Sequence, residues 1–355
     1  NINPAYRKGE LSYTLKKVDC KALILAREFK TSNYVGILRE IAPTIDVSES
    51  GKLNLTELPE LRSLIVISDD AVDGMFRFTD IADMAPANAS EQLAAVALVS
   101  RPDDAINIQF TSGTTGLPKG ATLTHFNVLN NGYFVGQTMN FTEHDRLCIP
   151  VPLYHCFGMV MSVLTCVLHG ATMVFPSEAF EPRATLKAIN DEKCTALHGV
   201  PTMFIAELDE PDFDQFDFSH LRTGIMAGAP CPIEVMRKVI SGMHMDQVTI
   251  AYGMTETSPV THANGGDHES KHASVGVAIP NTEYRIVDLG AYVPRGEQVE
   301  VAAAGDVTVI SKSRPEGYEQ HRAEYIAKRL AIDTDADAVV VGSDNEGEWQ
   351  IRDGY

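Results

Sequence analysis

Short runs of apolar, β-branched residues recur along the chain, and stretches with helical spacing separate them. The strand-like runs are Lys21–Leu25, Ser63–Ser68, Ala105–Phe110, Ala121–Thr124, Arg146–Val151, Ala171–Phe175, Thr195–Val200, Leu221–Ala227 and Gln247–Gly253. Helical patterns begin near Asn127, Phe157, Arg183, Pro201 and Pro232. Alternating strands and helices, with strands that are apolar almost throughout, are typical of parallel sheets covered by helices on both faces. The pattern therefore predicts an α/β fold.

The character of the sequence changes after about Pro280. The segments EYRIVD, VEVAA, DVTVIS and DAVVVG are strand-like, and little helical pattern separates the first three. We therefore expect two domains, an α/β core over residues 1–280 and a smaller β-rich subdomain over residues 281–355.

Composition and charge narrow the class of protein. The chain has 355 residues, of which 44% are hydrophobic, and Asp and Glu outnumber Lys and Arg by 48 to 29. The resulting net charge of −19 argues against nucleic acid or an anionic membrane surface as a partner. The six cysteines include no Cys-x-x-Cys pair, which predicts reduced thiols, a reducing compartment and no zinc site.

The longest apolar run, Met159–Phe175, is interrupted by His169 and Gly170. We therefore predict a buried helix followed by a buried strand, and no membrane span. The chain opens without a methionine and without a charged-then-apolar leader, so no targeting signal is visible. We expect a cytoplasmic protein, or one of the mitochondrial matrix if the source is a eukaryote.

The segment TSGTTGLPKG, residues Thr111–Gly120, lies between two predicted strands. Its three glycines let the backbone approach a ligand and point amide N–H groups at it. Four hydroxyl groups and one cation, Lys119, complete a set of groups suited to a polyphosphate. The alternative is a flexible surface turn, which would not ordinarily place its lysine directly behind a proline and between two strands. A Walker A motif is disfavoured, since there the lysine precedes Ser or Thr and opens a helix.

The longer stretch TSGTTGLPKGATLTH resembles the signature loop of the adenylate-forming superfamily, which comprises acyl-CoA synthetases, firefly-type luciferases and the adenylation domains of peptide synthetases. Further motifs follow in the family's order: VPLYHCFGM (Val151–Met159), HGVPTMF (His198–Phe204), GAP (Gly228–Pro230) and YGMTET (Tyr252–Thr257). Among the members, the chain is most similar to the medium-chain fatty acyl-CoA synthetases. The resemblance is dense from the first residue to about residue 288 and weaker beyond it.

The resemblance implies the large N-terminal domain of the adenylate-forming fold, with parallel sheets covered by helices and a small β-rich subdomain. It also implies ATP and Mg²⁺ as cofactors, with a fatty acid and coenzyme A as co-substrates. The residues implied to contact ATP are Thr111, Ser112, Gly113, Thr114, Thr115, Gly116, Leu117, Pro118, Lys119, Gly228, Ala229, Pro230, Tyr252, Gly253, Met254, Thr255 and Asp337. Among them, Thr255 would contact the α-phosphate, and Asp337 would bind the ribose, with Asp335 as its rival.

Two of the implied nucleotide residues also have ordinary explanations. Tyr252, which would stack on adenine, could be a core aromatic residue. Glu256, which would bind Mg²⁺, could be a solvated acid in the first turn of a helix. Their adjacency in YGMTE, together with the glycine-rich loop upstream, favours the nucleotide site.

The resemblance further implies an apolar pocket for the acyl chain. Its residues are Tyr154, His155, Gly199, Val200, Pro201, Met203 and Phe204. His155 is predicted either to gate the acyl tunnel or to be structural, whereas His198, in an apolar strand, is predicted to be structural. The catalytic residues implied are Lys119, Thr255, Glu256 and His155.

The expected function is ATP-dependent ligation of a fatty acid, of medium chain length, to coenzyme A through an acyl-adenylate. Two alternatives stay open: another adenylate-forming enzyme, such as an aryl-CoA ligase or a peptide-synthetase adenylation domain, and a non-catalytic acyl- or nucleotide-binding protein. The family's N-terminal part and its C-terminal lid domain with a catalytic lysine have no counterpart in these residues, so we expect the central part of a synthetase. The sequence leaves open the acyl chain length and whether a homodimer forms.

Overall fold

The computed structural model describes residues 1–111, 118–265, 274–280 and 282, together with the backbone of residues 310–311 and 350–351. The chain divides into two compact units. The first comprises Asn1–Asp104 and Phe110–Gly120, and the second comprises Ala105–Gln109 and Ala121–Tyr355.

The first unit is built around a small parallel sheet. Its helices and strands are α1 (Lys8–Lys17), β1 (Ala22–Ala26), β2 (Glu28–Phe29), β3 (Ser32–Asn33), α2 (Tyr34–Ile41), β4 (Ser63–Ile67), β5 (Phe76–Arg77) and α3 (Ala89–Val99). Short 3₁₀-helices lie at Pro43–Val47, Phe78–Asp80 and Ala82–Met84. β4 pairs in parallel with β1 and with β5, while β2 and β3 form a short antiparallel pair. A buried apolar core that includes Leu15, Leu38 and Leu64 joins α1 and α2 to the sheet.

A seven-stranded sheet organises the second unit. Strands β6 (Ala105–Thr111) and β7 (Lys119–Thr124), which pair with each other, run from one unit into the other. The elements that follow are α4 (His125–Thr138), β8 (Arg146–Cys148), a π-helix (Phe157–Leu164), α5 (Thr165–His169), β9 (Thr172–Val174), α6 (Pro182–Glu192), β10 (Ala196–Gly199), α7 (Pro201–Leu208), a 3₁₀ turn (Phe213–Gln215), β11 (Thr223–Ala227), α8 (Ile233–Met243), β12 (Gln247–Gly253), a 3₁₀ turn (Thr255–Thr257), β13 (Val260–Ala263) and β14 (Val277–Ala278). The strand order is β14-β13-β12-β11-β10-β8-β9.

Both faces of the seven-stranded sheet are covered by helices. Ala196 of β10 belongs to a first core cluster, which also contains Val135 of α4 and Phe157 of the π-helix. Its neighbour Leu197 belongs to a second core cluster, which contains side chains of α6, α7 and α8 such as Phe204. Successive residues of a strand point to opposite faces, so the strands β8, β10, β11 and β12 each contribute to both clusters. The five strands from β9 to β12 run parallel, and the predicted parallel α/β core is therefore confirmed.

Gly170 ends the helical part of the long apolar run. It caps α5 in the left-handed conformation, with φ = 70°, and its amide donates to the carbonyl of Cys166. β9 follows at Thr172, so the order of a helical segment and then a strand is as predicted. The strand itself was predicted to be buried, but Thr172 and Met173 are exposed because β9 lies at the edge of the sheet. Among the helices of the described residues, none has both the length and the apolar content that crossing a membrane requires.

The edge formed by β13 and β14 departs from the expected all-parallel sheet. β13 pairs antiparallel with β12, and β14 pairs antiparallel with β13. The connection Met254–Pro259 is too short for a parallel crossover, which needs about a dozen residues, so the chain returns antiparallel. Apart from residue 282 and an antiparallel pair of residues 310–311 with 350–351, the predicted β-rich subdomain lies outside the described residues.

Candidate functional site

Most of the predicted site residues in the second unit lie directly after parallel strands. Val200 follows β10, Gly228 follows β11, and Met254 follows β12. The strands are in register, with Ala227 of β11 opposite Ala251 of β12, so the three segments begin at one edge of the sheet. Open α/β sheets bind their ligands at this carboxyl edge.

The turn Gly228–Pro230 passes beside the start of the predicted acyl segment. Gly228 has φ = 81°, and a Cβ placed on it would lie 3.2 Å from Val200 Cγ1. The turn is exposed, and the Cys231 thiol donates to the Met226 carbonyl at 3.2 Å behind it. Any side chain at position 228 would be strained and would crowd Val200, so glycine keeps this surface open. The structure thus brings the predicted adenine turn and acyl segment together.

The segment that carries YGMTET makes a tight turn between β12 and β13. Gly253 approaches Pro259 so closely that a Cβ would lie 1.8 Å from the Pro259 carbonyl oxygen, which leaves no room for a side chain. Thr257 closes the turn with its hydroxyl group, which accepts from the Met254 amide at 3.1 Å and donates to the Pro259 carbonyl at 2.6 Å. These contacts fix the backbone on both sides of the predicted nucleotide residues.

Three side chains of this turn are predicted to contact ATP or its metal. Thr255 is buried, whereas Tyr252 and Glu256 are half-buried. Tyr252 packs edge-on against His262, with ring centroids 6.2 Å apart. Burial lowers the pKa of His262 to about 4, so this imidazole is neutral and packs as an uncharged ring. Sequence reasoning missed His262, because it meets Tyr252 only through the pairing of β12 with β13.

The aromatic-histidine motif contacts this turn. Cys156 Sγ lies 3.4 Å from Thr255 Oγ1, although the two residues are far apart in the sequence. His155 is exposed, and its Nδ1 accepts the Phe157 amide at 3.1 Å where the π-helix begins. Tyr154 beside it is half-buried. Sequence reasoning also missed Cys156, which is the buried link between the two motifs.

The predicted acyl residues divide between the two faces of the sheet. Val200 and Met203 are partly buried and pack against the first core cluster. Phe204 is fully buried in the second core cluster, and a Cβ on Gly199 would lie 2.9 Å from its ring. Pro201 is buried and opens α7. Val200 and Met203 therefore combine apolar character with partial exposure, while a place for Phe204 in the acyl pocket stays a prediction.

His198 lies buried on β10 and contacts the π-helix. Its Nδ1 is 2.9 Å from Ser162 Oγ, and its Nε2 is 3.3 Å from Met139 Sδ. Burial lowers its pKa to about 3, so the ring is neutral. These contacts agree with the structural role expected from the sequence.

The glycine-rich loop is described only at its two ends. Thr111 ends β6 and Lys119, which is half-buried, opens β7, whereas residues 112–117 lie outside the described residues. The pairing of β6 with β7 anchors both ends. Thr111 Oγ1 is enclosed and has no hydrogen-bond partner among the described residues, which suits a ligand with acceptor oxygens. The two candidates for the ribose contact, Asp335 and Asp337, also lie outside the described residues.

Glu256 is the carboxylate that the sequence predicts for Mg²⁺. Its charge adds to the effect of burial in raising the pKa of Cys156 to about 11. Within the described ranges, no group of three or more His, Cys, Asp or Glu side chains is placed to hold a metal ion. Mg²⁺ commonly binds through one or two carboxylates, water and the phosphates of a substrate. The donor set therefore fits Mg²⁺ that arrives with ATP.

Comparison with known proteins gives matches that cover most of the chain. A family model described as AMP-binding enzyme matches residues 1–312. YngI of Bacillus subtilis (strain 168), whose designation as an acyl-CoA synthetase is provisional, is 45% identical over 308 residues, which cover 86% of this chain and 56% of YngI. The mitochondrial medium-chain acyl-CoA ligase ACSF2 of Danio rerio is 42% identical over 310 residues, which cover 86% of this chain and 51% of that ligase. The chain thus spans about half the length of the curated relatives it matches.

A solved structure resembles this chain over a similar range. The ATP-bound RpMatB-BxBclM chimera B3 superposes with a TM-score of 0.62 and 26% sequence identity. The match covers 83% of this chain and 52% of the chimera.

Proposed function

Because the chain belongs to the AMP-binding enzyme family, we propose that it is the part of an AMP-forming acyl-CoA ligase that binds ATP and the acid. The acid is a fatty acid of medium chain length, the class named for the ACSF2 relative. The carboxylate attacks the α-phosphate of ATP and releases pyrophosphate. The thiol of coenzyme A then attacks the acyl carbon and releases AMP. The ATP bound to the chimera supports ATP as the nucleotide.

The observation that carries the proposal is the meeting of motif segments at the carboxyl edge of the sheet. The turn Gly228–Pro230 lies beside Val200, and Cys156 contacts Thr255. In the first pair an adenine motif adjoins an acyl motif, and in the second the aromatic-histidine motif adjoins the turn assigned to the α-phosphate. This proximity supports neighbouring sites for the nucleotide and the acid.

In this proposal each polar residue of the site contacts a particular part of MgATP. Lys119 and the amides of its loop neutralise the β- and γ-phosphates. Thr255 donates to the α-phosphate, whose oxygens must be stabilised in the transition state. Glu256 helps to bind Mg²⁺, which when bound with ATP spreads the negative charge of the phosphates. Tyr252 stacks on adenine, and its packing against His262 supports a fixed ring orientation.

The acyl chain requires an apolar wall next to the carboxylate. Val200 and Met203 supply it, since both are partly buried against the first core cluster. We assign to His155, which is exposed, the gate to this wall, one of the two roles expected from its motif. The mitochondrial designation of the ACSF2 relative supports the matrix as one of the two compartments expected from the sequence.

The substrate class is tested on the full-length protein by measuring kcat/KM for a series of straight-chain acids. A buried methylene contributes about 0.8 kcal/mol, so kcat/KM should rise about fourfold with each one until the pocket is full, at medium length. A preference for benzoate-like acids or amino acids would favour the aryl-CoA ligase or the peptide-synthetase adenylation domain instead.

Two variants on α7 locate the apolar wall. Met203→Trp should move the maximum of kcat/KM to shorter acids, because the larger side chain fills space beside Val200. Ile205→Trp is the matched control, since Ile205 is 39% exposed on the same helix and should leave the profile unchanged. ATP binding without any acid-dependent release of pyrophosphate would instead support a non-catalytic binding protein.

A further inference from the structure

A buried contact between Cys156 and Thr255 links two motifs at the carboxyl edge. The residues are 3% and 7% exposed, and their Sγ and Oγ1 atoms are 3.4 Å apart. Within the described part of the chain, this is the hydrogen bond found for the Thr255 hydroxyl group. The geometry allows either atom to donate, so the direction of the bond must be argued from the surroundings.

Those surroundings favour the thiol as the donor. A threonine hydroxyl has one hydrogen, and if that hydrogen pointed at sulfur, only lone pairs would remain for a phosphate oxygen. Cys156 Sγ also lies 3.7 Å from His155 Nδ1, but that nitrogen already accepts the Phe157 amide at 3.1 Å. Burial raises the pKa of Cys156 to about 11, so the thiol keeps its hydrogen at neutral pH.

We propose that Cys156 is a positioning residue: its S–H donates to Thr255 Oγ1 and so leaves the Thr255 hydroxyl hydrogen directed at the α-phosphate of ATP. This inference rests on the proposed function, in which Thr255 contacts that phosphate. A serine or threonine that accepts one hydrogen bond while donating another is held in a single rotor position. The hydroxyl therefore needs no reorientation when charge develops on the phosphate.

The backbone around Cys156 is built to hold its position. Gly158 packs against the chain so closely that a Cβ would lie 2.4 Å from the Pro152 carbonyl oxygen. The His155 ring accepts the Phe157 amide, and Cys156 immediately precedes the π-helix. Thr255, on its side, opens the 3₁₀ turn that Thr257 closes. Two rigid segments therefore meet at this contact.

The test is a double-mutant cycle in the full-length enzyme, with pyrophosphate release measured at saturating MgATP and fatty acid. Cys156→Ala should lower kcat about 3- to 10-fold, with the KM for the fatty acid unchanged. Cys156→Ser, which keeps a donor, should recover most of that loss. In a Thr255→Val background, Cys156→Ala should change kcat less than about twofold, because the hydroxyl it orients is gone.

Cys166→Ala is the matched control, since Cys166 is a buried cysteine of α5 in the first core cluster. It should lower the unfolding midpoint as Cys156→Ala does, yet leave kcat unchanged. If the wild type is active but Cys156→Ala behaves like Cys166→Ala, the inference alone is overturned. The same holds if the effect of Cys156→Ala persists in the Thr255→Val background. A wild type that makes no acyl-adenylate would overturn the proposed function and this role with it.

Discussion

Lys119 is the single cation between Thr111 and Gly120, and it opens β7 directly after the buried Pro118. We predict that Lys119→Ala lowers kcat/KM for MgATP by about 10- to 150-fold, because a charge-assisted hydrogen bond contributes about 1.5–3 kcal/mol. The loss should fall on MgATP and spare the KM for the fatty acid. Initial rates of the full-length protein, with MgATP varied at saturating acid, measure it.

The control for this variant is Lys238→Ala, which removes an exposed lysine from α8. This variant makes the same change in charge at an exposed lysine of another element, so its MgATP kinetics should stay at wild-type values. Lys119→Arg should retain part of the activity, since it keeps the charge with a different shape. Wild-type kinetics in Lys119→Ala would show that the loop does not hold the phosphates.

A residue of the candidate site could be predicted from the sequence when its own type and its immediate neighbours indicated its role. Lys119, Thr255 and Glu256 could be nominated because their residue types and immediate neighbours carry the chemistry. Cys156 and His262 could not, since one meets Thr255 by packing between distant segments and the other meets its tyrosine by strand pairing. Contacts of this kind depend on the folded chain and leave no spacing in the sequence.

The same distinction holds for helices and strands. The apolar runs of β11 and β12 predicted Leu221–Ala227 and Gln247–Gly253, and the structure has Thr223–Ala227 and Gln247–Gly253. β13 was missed because VTHA is short and half polar. The segment Phe157–Leu164 was predicted as a helix, but its π form was not, since a stretch that is apolar except for Ser162 shows no period that separates the two forms.

Asn131 of α4 ties this helix to β13. Its Nδ2 donates to the Val260 carbonyl at 2.7 Å, and its Oδ1 accepts from the Val260 amide at 3.1 Å. All of these groups are buried, so Asn131 pairs with the strand as a neighbouring backbone would. We predict that Asn131→Ala lowers the free energy of unfolding by about 2–4 kcal/mol, because each buried backbone group left unpaired costs about 1–3 kcal/mol.

Urea unfolding followed by circular dichroism measures this loss. The adjacent Asn130 gives a matched control, because its side chain is partly exposed and donates to the Phe126 carbonyl of its own helix, at 2.8 Å. Asn130→Ala should change the free energy of unfolding by less than about 0.5 kcal/mol. Equal effects of the two variants would mean that the bond to β13 contributes nothing beyond helix propensity.

Across the whole second unit, the amino edge of the sheet carries a charged network opposite the candidate site. Asp145, just before β8, is buried and accepts from Arg222 Nη2 at 2.8 Å and from Thr195 Oγ1 at 2.7 Å. Burial by itself would raise the pKa of Asp145, but these hydrogen bonds outweigh it and the pKa is lowered. The charge is therefore satisfied, and the starts of three parallel strands are joined at the edge that faces away from the carboxyl ends.

Glu207 of α7 is the opposite case, a buried acid without compensation. It is 1% exposed, and neither carboxyl oxygen has a hydrogen-bond partner among the described residues. Burial raises its pKa to about 8, so the group is largely protonated near neutral pH.

Stability of the second unit should therefore fall as pH rises through the range in which Glu207 loses its proton. Between pH 4.5, the ordinary pKa of a glutamate, and about pH 8, Glu207 keeps its proton in the folded state but has lost it in the unfolded state. The stability that this bound proton contributes is therefore fully present below about pH 4.5 and is lost above about pH 8. The free energy of unfolding falls by up to about 1.4 kcal/mol per pH unit in this range.

Glu207→Gln removes this titration, so its free energy of unfolding should gain a few kcal/mol relative to wild type between about pH 5 and pH 8. Glu178→Gln, an exposed control, should follow wild type. Urea unfolding at several pH values measures the difference, and parallel curves for wild type and Glu207→Gln would show that Glu207 is ionised in the folded protein.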